Sequence, residues 1–152
     1  MSYETILRII TIPVAAAWLV MIFAPRWRGT RTFIHSDVVQ LGIAVVYIAL
    51  IAPLLPGVLR EFDTFEHISR AFTRPALVLA GWIHYLAFDL FVGRVVLGDA
   101  QRRGIHHLFV VPCLLLTFLL GPAGYLLYAL VRFAHRQFMP VAPLPGPRPP
   151  TT

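Results

Sequence analysis

The chain has 152 residues, 58% of them hydrophobic and only 13% charged, with a mean hydropathy of +0.74. A soluble domain is roughly 45–50% apolar and about 25% charged, so a chain this apolar cannot hide its surface in one small core, and disorder, collagen and coiled coil are excluded by the same figures. The formal charge is +6, from 13 arginines with no lysine, and the arginines stand beside apolar runs; that distribution points to anionic lipid headgroups as partners and away from nucleic acid.

Four apolar segments come close to the roughly 20 residues needed to cross a bilayer as a helix. The first, Ile9 to Pro25, has 17 uncharged residues; its three alanines mimic a signal-peptide cleavage site, but the apolar run continues to Phe23 and ends at arginines. A short basic loop with Arg26, Arg28 and Arg31 leads to the second segment, Val38 to Leu59, with 22. Between Arg60 and Arg74, Phe62, Phe65, Ile68 and Phe72 recur on one helical face with the acids elsewhere, which predicts an amphipathic helix on the membrane surface. The third segment, Pro75 to Val96, is apolar except for His84, Asp89 and Arg94, and a polar turn carrying Asp99, Arg102 and Arg103 follows it. The fourth, Leu108 to Val131, has 24 residues. The fold expected is an all-α, multi-pass membrane bundle of four transmembrane helices over residues 1–139, both termini on one side, followed by a proline-rich disordered tail over 140–152. Arginines are shared almost evenly between the two sides, so the positive-inside rule selects no orientation.

Ionisable groups inside a span cost on the order of 2.5–3.5 kcal/mol each on insertion scales, so they mark sites or structural pairs. Asp89 lies deep in the third span, with Trp82 and Tyr85 on its helical face. His84 and Arg94 each lie about 140° around the helix from it, so helix geometry does not bring both to Asp89, and Arg94 is near enough to the edge to snorkel to water. Two readings stay open: Asp89 as acid, base or ligand anchor in an interhelical cavity, or Asp89 and Arg94 as glue between spans. On the fourth span Cys113, Thr117, Gly121, Gly124 and Tyr128 form a stripe of small and polar groups, either a packing seam or a cavity wall, with a kink expected at Gly121-Pro122. Six histidines without paired metal boxes, and the poor chelating geometry of adjacent His106 and His107, lead to the expectation that no metal is required. A single cysteine allows no internal disulfide, and no Walker loop, GxSxG elbow or Rossmann fingerprint is present.

The segments Trp82-Ile-His-Tyr-Leu-Ala-Phe-Asp-Leu-Phe-Val-Gly-Arg94 and Val111-Pro-Cys-Leu-Leu-Leu-Thr-Phe-Leu-Leu-Gly-Pro-Ala-Gly124, with the linker Gly104-Ile-His-His-Leu, resemble the neoxanthin-synthase-like family, whose plant members include abscisic-acid-deficient protein four. The resemblance runs over roughly Thr30 to Arg132 and looks like that of a compact bacterial-type member without a transit peptide, placed in the inner membrane. It implies work on a carotenoid or other isoprenoid. Conversion of violaxanthin to neoxanthin is an isomerisation that needs no redox cofactor: one group protonates the epoxide oxygen and another takes a carbon-bound proton. His84, Asp89 and Arg94 are the catalytic candidates, and Trp82, Tyr85, Thr117, Gly121, Gly124 and Tyr128 the substrate-binding ones. A non-enzymatic pigment or lipid binder, with His84 as a chlorophyll ligand, and an assembly subunit, as a homo-oligomer or beside a membrane partner, are the alternatives.

Overall fold

The structure, a computed structural model, describes residues 2–59 and 63–138, and all regular structure in them is helical. The tail after 139 and the positions of Arg60, Glu61 and Phe62 lie outside the described residues. Helix α1 runs Tyr3–Phe23; Ser2 caps it by accepting the Thr5 N–H at 3.2 Å, and the chain leaves the helix at Ala24 and Pro25. A short α2, Arg28–His35, precedes α3, Val38–Ile51, which continues through a 3-10 turn at Ala52–Leu54 into α4, Leu55–Val58. Pro53 and Pro56 remove two ladder donors there and tighten the rod without ending it.

Of the segment expected to lie on the membrane surface, the described part is helical only over α5, Phe65–Ala71. Thr64 caps it, and the hydrogen bond to His67 (2.6 Å) holds the Asp63 carboxyl below its ordinary range. Helix α6, Pro75–Arg102, is the longest, started by Pro75 and ended by a left-handed Gly104. Ile105 N–H closes on Ala100 O and Gly104 N–H on Gln101 O, the paired bonds of a Schellman stop, with Ile105 tucked into the core.

Helix α6 is the axis of the molecule. Helices α1, α3, α7 and α8 pack around it, and 44% of its most apolar window is buried against 6% for the α3–α4 rod, which lies at the edge. Helices α1 and α6 run parallel: Trp18 meets Gly93, and Gln101 Nε2 donates to Pro25 O at 2.8 Å. The core joins Val14, Trp18 and Met21 of α1 to Ile83, Leu90 and Leu97 of α6 and Val110 and Leu114 of α7.

Three helices among the described residues are long and apolar enough to cross a membrane: Tyr3–Phe23, Val38–Gly57 and Pro75–Arg102. The fourth apolar segment departs from the single span expected of it. It forms α7, His107–Leu120, and α8, Pro122–Phe138, two helices that fold back on each other. Gly121, at φ +48°, takes a conformation that favours glycine, and Pro122 starts the return helix with a preset φ. Tyr128 and Arg132 of α8 therefore come back to Asp99, near the end of α6 from which α7 set out. The expected kink is a reversal, and the described ends of the chain, Ser2 and Phe138, lie at opposite ends of α6 rather than together.

Candidate functional site

Side chains leave a helix every 100°, and α6 uses this to send its three ionisable residues to three neighbourhoods. Asp89 is 7% exposed and faces the α7–α8 turn. A Cβ built on Gly121 would stand 2.8 Å from Asp89 Oδ1, so glycine at the turn is what lets the carboxyl approach the backbone this closely. One helical turn earlier, the Tyr85 hydroxyl reaches Phe118 O (3.3 Å) and Leu119 O (3.2 Å), carbonyls at the end of α7 that the helix break leaves without intrahelical donors. Tyr85 also neighbours the Asp89 carboxyl, whose Oδ2 is buried and has no hydrogen-bond partner among the described residues. Trp82 packs at 5.6 Å from the Tyr85 ring and is half exposed, so the two aromatics stand between Asp89 and the surroundings of the bundle. The Trp18 indole N–H, over Gly93 one turn beyond Asp89, is likewise buried without a hydrogen-bond partner among the described residues.

His84 is elsewhere. It stacks on Phe88 at 4.6 Å and lies 5.6 Å from Tyr47 of α3, on the outer side of the bundle. Beside it an apolar groove of about 270 Å³ runs between α3 and α6, lined by Gln40, Ala44, Ala87, Phe88 and Phe91, with Gln40 Nε2 donating to Ala87 O. Arg94 is elsewhere again. It does not snorkel to water: its side chain is 6% exposed, its Nη2 is 3.1 Å from Asp37 Oδ1, and its guanidinium lies over the Phe33 ring at 5.4 Å. His84, Asp89 and Arg94 thus do not converge on one reacting centre.

The stripe on the fourth segment is divided by the turn. A Cβ on Gly124 would fall onto the Thr117 amide nitrogen and Oγ1, so Gly124 is the point where α8 touches α7, and Thr117 turns its hydroxyl to Cys113 O at 2.8 Å. Thr117, Gly124 and Cys113 are packing, with Thr117 and Cys113 fully buried. Tyr128 is 2% exposed and donates to Asp99 Oδ2 at 2.8 Å, so its hydroxyl joins helices rather than facing a cavity. Asp99 itself was no site candidate, yet it gathers Arg103 at 2.7 Å with Arg102 and Arg132 at 3.7 Å. Its spacing of three and four to Arg102 and Arg103 was the available signal; Arg132 and Tyr128 carried none, because only the reversal brings them near. Among the described residues no three His, Cys, Asp or Glu side chains gather as a metal site would require.

These features define a class: an all-helical protein with three helices long and apolar enough to cross a membrane, and a helical hairpin whose glycine turn meets a buried carboxyl. The family model described as ABA DEFICIENT 4-like matches residues 5–128, and the chain belongs to that family, that of neoxanthin-synthase-like proteins. The match takes in α6, the turn and Tyr128. No match was found among curated proteins or solved structures.

Proposed function

We propose that this is a multi-pass membrane protein that takes a carotenoid or related isoprenoid from the bilayer and isomerises it by proton transfer at Asp89. The observation that supports this reading is the Asp89 carboxyl, buried at the middle of α6 with Oδ2 unpartnered beside the Gly121 turn. On this reading α1, the α3–α4 rod and α6 cross the membrane. The α7–α8 hairpin enters from the Arg102 side and turns back at the depth of Asp89, and α5 rests on the opposite surface. An apolar substrate dissolved in lipid approaches beneath the hairpin tip, past Trp82 and Tyr85. For an epoxide, the protonated carboxyl gives its proton to the oxygen as the C–O bond opens. The carboxylate so formed then removes the carbon-bound proton, so atoms balance and no electrons leave the substrate. Tyr85 orients the carboxyl and the α7 end around it.

Asp89→Asn keeps the shape and most hydrogen bonding while removing the titrating acid. Turnover of the carotenoid should fall at least ~100-fold, the lower end of what general acid–base catalysis contributes, with membrane yield and bound pigment unchanged. Full turnover by Asp89→Asn would remove the acid–base role.

A second reading, a binder without turnover, is favoured by the groove between α3 and α6, whose walls are apolar and whose neighbour His84 is stacked among aromatics. It requires that His84→Leu strip bound pigment from the purified protein while Asp89→Asn leaves its absorption spectrum intact and no product forms with either.

A further inference from the structure

Where α1, α6 and α7 meet at the Arg102 end of the bundle, the chain leaves a cleft of about 430 Å³. Its floor is apolar, made by Leu97, Ala100 and Ile105, each no more than 7% exposed. Its rim is basic, carrying Arg26, Arg31 and His106. We propose that this cleft holds the phosphate of an anionic phospholipid headgroup, with Arg26 and Arg31 as its charged partners. The inference rests on the membrane placement given above and is independent of any chemistry at Asp89.

Charge supply is the first argument. Five of the described arginines are matched to acids: Arg70 to Glu66, Arg94 to Asp37, and Arg102, Arg103 and Arg132 to Asp99. Among the described residues Arg26 and Arg31 make no ion pair to a carboxylate, as is also true of Arg8, Arg28 and Arg136, but Arg26 and Arg31 are the two that line one cavity. Guanidinium groups match phosphate oxygens in charge and in planar donor geometry.

The second argument is rigidity. The segment that carries the arginines is pinned at three successive places by side chains that donate to its carbonyls. His107 Nε2 meets Ile22 O at 2.8 Å, Thr30 Oγ1 meets Ala24 O at 2.6 Å, and Gln101 Nε2 meets Pro25 O at 2.8 Å. Two of these donors come from α6 and α7, so the arginine loop is fixed to the far wall of the cleft, and ordering it costs a ligand little.

The third argument is the start of α7. His106 caps that 14-residue helix without a side-chain hydrogen bond, so N–H groups of its first turn, with the positive end of the helix dipole, open beside His106 and His107 on the cleft wall. Convergent positive charge over an apolar floor, at the level where three membrane helices end, suits a phosphate attached to a glycerol and acyl chains better than a free ion.

The test uses the full chain purified in mild detergent and titrated with phosphatidylglycerol, read by native mass spectrometry. One saturable adduct is expected, with phosphatidylcholine binding more weakly. Arg26→Gln with Arg31→Gln should weaken phosphatidylglycerol binding at least ~10-fold, as expected for losing two charge-assisted phosphate contacts. Each single variant, at an exposed position, should weaken it by a smaller factor, so a folding defect in the double variant would not decide the result. Arg28→Gln, next to the cleft but outside its lining, should bind as the parent does. Unchanged binding by the single and double variants overturns the site. Displacement of the lipid by an equal concentration of inorganic phosphate overturns the lipid assignment in favour of a free anion. Release of the parent protein from membranes by a carbonate wash would fail the membrane placement itself, separately from the cleft.

Discussion

Gly93 shows how a residue without a side chain can position one that matters. A Cβ there would lie 2.6 Å from Trp18 Cη2, and the indole packed on this bare patch of α6 also lies 5.4 Å from the Phe118 ring of α7. One glycine therefore sets the spacing of three helices one turn from Asp89. Gly93→Ala should destabilise the protein by about 1–3 kcal/mol, the usual cost of overpacking, read as a lower thermal midpoint in detergent. Trp18→Phe removes the clashing ring edge, so in that background Gly93→Ala should cost clearly less. Equal cost in both backgrounds would mean that the indole is not what resists the added carbon.

At the scale of elements, the hairpin is held at both ends by different means. Near its tip, Gly124 lets α8 lie against Thr117 and Cys113, and the Tyr85 hydroxyl ties the end of α7 to α6. Near its base, Asp99 joins Tyr128 and Arg132 of α8 to Arg103 after α6. Asp99→Asn leaves three arginines without their anion and weakens the Tyr128 bond. Loss of these charge-assisted contacts should cost about 1–3 kcal/mol, and hydrogen exchange should speed up across α8 more than across α1 or α3. A uniform change along all helices would show that Asp99 does not act as a local clasp. The 14 residues of α7 were expected to belong to one long span because hydropathy is blind to direction: Leu108 to Val131 is equally apolar folded straight or folded back.

For the whole molecule, the reversal changes which ends meet which side. Single cysteines at Ser2, Arg28 and Arg136, in a background with Cys113→Ser, should divide into two classes under an impermeant thiol reagent applied to sealed vesicles. Arg28 and Arg136 should label from one face and Ser2 from the other, because α1 runs parallel to α6 and α8 returns to the Arg102 end of α6. Labelling of Ser2 and Arg136 from the same face would restore four complete crossings and remove the hairpin. The same geometry explains why arginine counts selected no orientation. Four straight spans would group the arginines of α8 with Arg8 and Arg74, whereas the reversal brings Arg132 to Arg103 around Asp99, at the end of α6 where Arg26 and Arg31 lie.

Local chemistry was legible in the order of residues alone. Long uncharged runs demand helices; Asp89, deep in an apolar run with Trp82 and Tyr85 on its face, demands a protected place; and 100° per residue already separates it from His84 and Arg94. The family resemblance, carried by the segment from Trp82 to Gly124, was readable there too. What only the tertiary structure decided concerns partners far apart in sequence. Asp37 takes Arg94, Asp99 takes Tyr128 and Arg132, and Gly121 turns the chain so that Asp89 faces a helix break. The reason is physical: helix formation and insertion depend on composition within one continuous segment of the chain, whereas the pairing of a buried charge depends on which helices the connecting turns bring together.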